Sequence, residues 1–288
     1  MAAGEAPASH EVRRIAAIQK LWTDGDYPTI GALFEPMSDE LVARLDLAGR
    51  RVLDAATGTG NTAILAAQAG AQVDAFDLTP SLLEVARQRA ADAGVTVRFV
   101  EGDLVAIPFP DASYDLVLST FGAFLVDDQR RCAQELLRVC RPGGRIVSTA
   151  WSAAGMFGVM LEVFTDRHTA LLAGAPDQRA WADPDKLARL FDGLEVDIDV
   201  TTATLWIPFA SVASALELFE SASGPVHRMR EALAAEGGDW NEVRSDLAAR
   251  WEQLARARDG GVELPSGYAI ATVRRLSRRT GHVPMWPG

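Results

Sequence analysis

The run Val52-Leu53-Asp54-Ala55-Ala56-Thr57-Gly58-Thr59-Gly60-Asn61 passes from a strand-like stretch through a turn of small residues into a helical pattern. Small side chains at Ala55, Ala56 and Gly58 let a ligand reach the backbone, and a helix N-terminus offers unpaired N–H groups to an anion. Gly58, Gly60 and Ala63 also fit the glycine spacing of a dinucleotide turn, with Asp77 lying 19 residues beyond Gly58. A nicotinamide cofactor is therefore one reading. A turn that serves packing alone is another.

The acidic residues at the neighbouring strand ends separate these readings. Asp54, just before the loop, would repel a pyrophosphate but suits a ligand ammonium group. Asp77 suits a ribose diol, because one carboxylate accepts two hydroxyl hydrogen bonds. Asp103, in Glu101-Gly102-Asp103-Leu104, stands where an exocyclic adenine amine could donate. One carboxylate for an amine, one for a ribose and one for a base describe adenosine joined to an amino acid, the shape of S-adenosylmethionine.

These residues need a scaffold that brings successive strand ends together. From Arg51 to Trp151, short apolar runs alternate with segments of helical period, as in a parallel sheet with crossover helices. Strands are expected at Arg51–Ala55, Gln72–Asp77, 96–101, 114–119 and 145–150, with helices at Asn61–Gln68, 80–93 and Gln129–Val139. Thr79 and Pro80 mark a helix start, and Arg141-Pro142-Gly143-Gly144 turns the chain into the fifth strand. Amphipathic helices at 12–22 and 38–45 precede the first strand and would cover the sheet's carboxyl edge. After Trp151 come an apolar segment at 156–172, a short helix opening at Asp183-Pro184, and a strand-like run at 194–206. Residues 211–258 read as helical, broken at Ser223-Gly224-Pro225 and Gly237-Gly238, before a last strand at 268–273. That insertion exceeds what a connection needs and suggests a lid.

The chain resembles the class I S-adenosylmethionine-dependent methyltransferases, most closely the small-molecule branch containing the quinone-biosynthesis C-methyltransferases. The resemblance spans about residues 21–151. It rests on the Val52–Gly60 run, Phe76-Asp77-Leu78-Thr79, Glu101-Gly102-Asp103, Ile107-Pro108-Phe109-Pro110-Asp111, Tyr114-Asp115-Leu116-Val117 and Arg141-Pro142-Gly143-Gly144. The family's usual first glycine is Ala56 here. The resemblance implies an α/β fold: a Rossmann-like seven-stranded sheet with its last strand antiparallel, a helical N-terminal cover (1–48) and a helical lid insertion (211–261). The core would comprise 49–210 and 262–280. The cofactor would lie across the first four strand ends. Asp54, Ala55, Ala56, Thr57, Gly58 and Gly60 would form its loop, with Asp77 and Leu78 at the ribose and Gly102, Asp103 and Leu104 at the base. Ser119 and Phe121, after the fourth strand, would run beside the sulfonium, with Phe121 as plain core the alternative. Tyr27 would close over the methionine end.

For the acceptor, the expected contacts are Trp22, Phe124, Phe157 and Phe219; the last lies on a helical stripe with Val212, Ala215 and Leu216 that could equally be core. His168 and His227 are the candidate bases, although methyl transfer can rest on alignment and desolvation alone. Cys132 and Cys140 give neither a disulfide framework nor a zinc pattern, and no metal is expected. A formal charge of -11 disfavours nucleic acid and acidic membranes as partners. The expected setting is cytoplasmic, the partner a small-molecule acceptor, with a homodimer possible. A family member that cyclises, isomerises or decarboxylates its substrate is the nearest alternative function.

Overall fold

The apolar runs marked as strands pair side by side in the computed structural model, which describes residues 10–167 and 177–277. β1 (Arg51–Ala55), β2 (Gln72–Asp77), β3 (Val97–Glu101), β4 (Tyr114–Thr120) and β5 (Cys140–Ala154) lie parallel in the order β3-β2-β1-β4-β5. The strand order reverses at β1, which leaves a crevice at the carboxyl ends of β1 and β4 where such sheets bind ligands. The expected turn at Arg141–Gly144 is a bulge inside β5: pairing jumps from Tyr114–Cys140 to Leu116–Arg145, and Gly143 takes φ 77°.

β6 (Val196–Phe209), β7 (Arg256–Arg258) and β8 (Gly261–Arg275) complete an eight-stranded sheet. β8 is inserted between β5 and β6, antiparallel to both. The antiparallel last strand was expected; β7 was not, because Arg256, Ala257 and Arg258 continue the helical composition before them. They pair instead with β8 across a tight turn in which Gly260 adopts φ 80°.

Crossover helices α4 (Asn61–Gln68), α5 (Pro80–Asp92) and α6 (Gln129–Val139) follow the sequence reading closely. Thr79 has the extended conformation of a helix cap, but its side chain makes no capping bond. Its backbone N–H donates to Asp77 Oδ1 at 2.9 Å instead. Along β1, Leu53 and Ala55 pack with Cys132 and Leu136 of α6, while Val52 packs on the opposite face with Leu41 and Ala63. This alternation is the period of two that a doubly covered strand requires.

The N-terminal segment forms α1 (His10–Thr23), α2 (Tyr27–Ala32) and α3 (Glu35–Ala43). α2 was not expected, its six residues being too few to show a period; Asp26 caps it, with Pro28 in its first turn. On the far side, α7 (Gly155–Arg167), α9 (Val212–Ala222), α10 (Gly224–Ala235) and α11 (Trp240–Leu254) build a third apolar core. α8 (Pro184–Leu190) packs beneath the sheet through the buried Leu187. The expected breaks at 223–225 and 237–238 separate α9, α10 and α11, with Ser223 and Asp239 as caps. Trp251 of α11 is fully buried and donates to Met156 O at 3.2 Å, tying the inserted helices to α7.

The end of α1 and the start of α10 meet backbone to backbone. A Cβ on Gly25 would collide with Ala222 O, and one on Gly224 with Leu21 O. His227 spans the same seam: Nδ1 lies 3.1 Å from Asp24 O and Nε2 2.9 Å from Glu220 O.

Candidate active site

The loop after β1 is wound by Ala56, Gly58 and Gly60, at φ 58°, 55° and 83°. Two carboxylates hold it. Asp77, 8% exposed, accepts Gly58 N–H at 2.8 Å through Oδ2 and Thr79 N–H at 2.9 Å through Oδ1. Asp54 is fully buried, and its Oδ2 accepts the Thr57 hydroxyl at 2.6 Å. Burial pushes the Asp54 carboxyl up to about 6, and it raises Asp77 as well, although backbone N–H groups at Asp77 oppose the shift.

A cleft of about 260 Å³ opens above the loop. Ala56, Gly58, Asp77 and Leu78 line one part of it, and Gly102, Asp103 and Leu104 another. Tyr27 and Phe121 close its inner end. These are the residues expected at the cofactor. Five others expected there stand outside the lining. Asp54 braces the loop from beneath and offers no surface to a ligand ammonium group, which corrects its expected role. Ala55 is buried within β1, and Gly60 packs against α5, where an added Cβ would lie 3.2 Å from Ala86. Ser119 donates to Ala55 O at 3.0 Å and accepts Ala123 N–H at 3.1 Å, so it ties β4 to β1. Thr57 reaches only a recess of about 20 Å³ on the far side of the loop.

Other lining residues were not singled out in the sequence, Arg14 among them, while Thr120 and Gly122 belong to the segment 119–124 expected beside the sulfonium. Arg14 extends from α1 to pair with Asp103; their side chains are only 16% and 12% exposed. Gly122 must lack a side chain, because a Cβ there would stand 2.6 Å from that of Ala56. Thr120 meets the Thr62 hydroxyl at 2.9 Å. The dipeptide Phe121-Gly122 beside the glycine loop carried a signal for Gly122, whereas no spacing links Arg14 to Asp103 across 89 positions.

A second chamber, of about 370 Å³, adjoins the cleft. All four expected acceptor contacts, Trp22, Phe124, Phe157 and Phe219, line it. Trp151 and Phe34, which were not expected, complete its aromatic centre. Phe121 stacks on Trp151 at 3.7 Å and Phe157 on Trp151 at 4.2 Å, with Phe34 edge-on to Trp151 and Phe157. Trp22, Tyr27 and Phe121 border both cavities. Phe121 sits there at φ 55°, a conformation that costs a non-glycine residue about 1–3 kcal/mol and tends to mark functional sites. Its N–H donates to Thr149 O at 3.2 Å and to Thr149 Oγ1 at 3.1 Å. Burial, then the negative charges of Asp77 and Asp54, raise the Tyr27 phenol, which stays a neutral donor.

Neither expected base is among the described residues of this wall. His168 lies outside the described residues. His227 belongs to the seam, with both ring nitrogens on backbone carbonyls, so it clamps helices and does not line the chamber. Among the described residues no group of His, Cys, Asp or Glu could hold a metal ion, and no helix is long and apolar enough to cross a membrane.

Residues 52–144 match the methyltransferase-domain family. Over 274 residues, covering 93% of this chain and 98% of the relative, the sequence is 36% identical to "Uncharacterized protein Rv1403c" of Mycobacterium tuberculosis. It is 39% identical over 134 residues to a demethylmenaquinone methyltransferase of Thermus thermophilus, covering 45% of this chain and 61% of that one. The chain belongs to the class I S-adenosylmethionine-dependent methyltransferases. Among solved structures, the YcgJ protein of Bacillus subtilis has the same fold at TM-score 0.58 and 19% identity, over 84% of this chain and 99% of that one. The [4+2]-cyclase SpnF shares it at TM-score 0.51 and 20% identity, over 84% and 82%.

The family's cofactor is S-adenosylmethionine, and the cleft fits it. Each Asp77 oxygen keeps a free lone pair for a ribose hydroxyl after accepting one backbone N–H. Gly102 must lack a side chain, since a Cβ there would lie 2.7 Å from Pro108 Cγ. The sulfonium, when bound, supplies an electrophilic methyl group. Tyr27 and Phe121, which border both cavities, would flank that group and help keep water from it.

Proposed function

We propose that the protein transfers the methyl group of S-adenosylmethionine to a small, partly apolar acceptor seated in the aromatic chamber, a quinone-like or natural-product ring being the class that suits the wall. One observation carries this reading: the cofactor cleft and an aromatic chamber of about 370 Å³ share the wall formed by Trp22, Tyr27 and Phe121. A drug-sized acceptor fits such a volume. The segment 1–48 acts as cover and 211–261 as lid, with Phe34 and Phe219 reaching the chamber from the two sides. The relationship to a demethylmenaquinone methyltransferase supports a ring acceptor, and a cytoplasmic setting agrees with two cysteines that are buried and free.

Incubating the purified protein with methyl-labelled cofactor and a panel of naphthoquinols, phenols and amines tests the proposal. Labelled product with equimolar S-adenosylhomocysteine is the expected outcome; chemical conversion of an acceptor without S-adenosylhomocysteine release would refute it. The latter outcome is what a second reading requires, in which bound cofactor is structural and the substrate is rearranged. The shared fold with a [4+2]-cyclase favours keeping that arm in the assay.

A further inference from the structure

Arg228, in α10, is the one charged side chain among the described residues that line the chamber. Its ion-pair neighbour Glu231 stands 3.6 Å away, with both side chains 66% exposed, so the guanidinium keeps donors for a second anion. No described Asp, Glu or His lines the wall. Its other polar side chains, those of Trp22, Tyr27, Ser152, Gln178 and Ser223, are uncharged. The described part of the wall therefore carries one positive charge, that of Arg228, and no negative one.

We infer that the acceptor enters as an anion: a planar conjugated molecule whose nucleophilic oxygen or carbon is already deprotonated at neutral pH, with its charge drawn by Arg228 and its ring held among Phe121, Trp151 and Phe157. This rests on the methyl-transfer reading above. In the step, the acceptor's lone pair forms the bond to the methyl carbon while the carbon–sulfur bond breaks toward sulfur. Anion and sulfonium become two neutral molecules, and no proton moves. Such charge loss is favoured where water cannot solvate the separated charges, which is what an aromatic chamber provides. A cationic acceptor would instead meet like charge in the sulfonium and in Arg228, with no lining carboxylate to offset it.

Two matched probes test the inference by calorimetry on the full chain: 2-hydroxy-1,4-naphthoquinone, which is ionised at neutral pH, and its neutral 2-methoxy ether. The protein is loaded with sinefungin, whose amine places positive charge near the position of the sulfonium. The expected result is about tenfold tighter binding of the anion than of the ether, as charge-assisted hydrogen bonding predicts. Arg228→Met should weaken the anion about fivefold, a modest loss suited to an exposed guanidinium, and leave the ether within about twofold. Ether binding as tight as the anion's, or an equal loss of both in Arg228→Met, overturns the inference. A Met160→Trp variant, which fills the chamber, separates the two levels. If the anion still binds there, it is not in the chamber and the acceptor-site reading falls as well. If both probes are lost there but the parent does not prefer the anion, only the anionic inference falls.

Discussion

Asp77 serves loop and ligand with the same two oxygens. Replacing it with alanine removes two backbone bonds and, in the complex, charge-assisted bonds to the ribose, together worth about 1.5–3 kcal/mol of cofactor binding. Calorimetry should show S-adenosylhomocysteine affinity reduced roughly ten- to a hundred-fold by that cost; unchanged affinity would remove the ribose assignment. Asp54 calls for a different measurement, because it is buried beneath the loop with its carboxyl raised to about 6 from an ordinary 3.8. In that window the folded chain holds a proton that the unfolded chain has released, so stability declines as pH rises from 3.8 to about 6 and then levels off. The effect is on the order of 3 kcal/mol for a shift of this size. Asp54→Asn, which keeps an acceptor for Thr57, should therefore gain most over the parent at pH 8 and least at pH 4. Equal gains in thermal unfolding at both would show that Asp54 does not titrate in this range.

Helix α1 lines the cofactor cleft and is fastened to residues just beyond the carboxyl ends of β2 and β3. Arg14 pairs with Asp103, Gln19 donates to Leu78 O at 2.8 Å, and Thr23 meets the Ser81 hydroxyl at 3.4 Å. If the cofactor leaves past α1, that strap must lift for it to exchange. In Arg14→Gln, S-adenosylhomocysteine should dissociate about tenfold faster, the effect expected when a partly buried charge-assisted bond worth about 1.5 kcal/mol is lost. Stopped-flow fluorescence of Trp22 would follow the change, and an unaltered rate would leave Arg14 only a tether. The parallel strands and crossover helices were legible in the sequence because buried runs such as Val52-Leu53 and Leu116-Val117-Leu118 are short, apolar and followed by helical period. α2 and β7 were not, since six and three residues carry no periodicity. Depth was equally hidden: the sequence places Asp54 and Asp77 alike at strand ends, and only the packing shows that one lies under the loop and the other faces the cleft. The chamber residues escaped for separate reasons: Phe34 stands between α2 and α3, where no periodicity marks a face, and Trp151 follows an apolar strand run and reads as its end.

At the scale of the whole chain, three apolar cores meet around one junction. Phe219 and Trp251 belong to the same core, with ring centroids 6.0 Å apart, yet only Phe219 lines the chamber. Alanine at either position should cost about 3–5 kcal/mol in denaturant unfolding. Phe219→Ala should also change acceptor binding, whereas Trp251→Ala should leave it as in the parent once both are compared below their melting transitions. Equal effects of the two on acceptor binding would make the inserted helices mere support. The seam in which Gly25 and Gly224 touch backbone to backbone has a consequence in time. Because α1 and α10 are joined there and again by His227, neither helix can swing outward alone. The amides at the end of α1 and the start of α10 should then exchange their hydrogens for deuterium at one common rate, and either ligand, bound by itself, should slow both helices together.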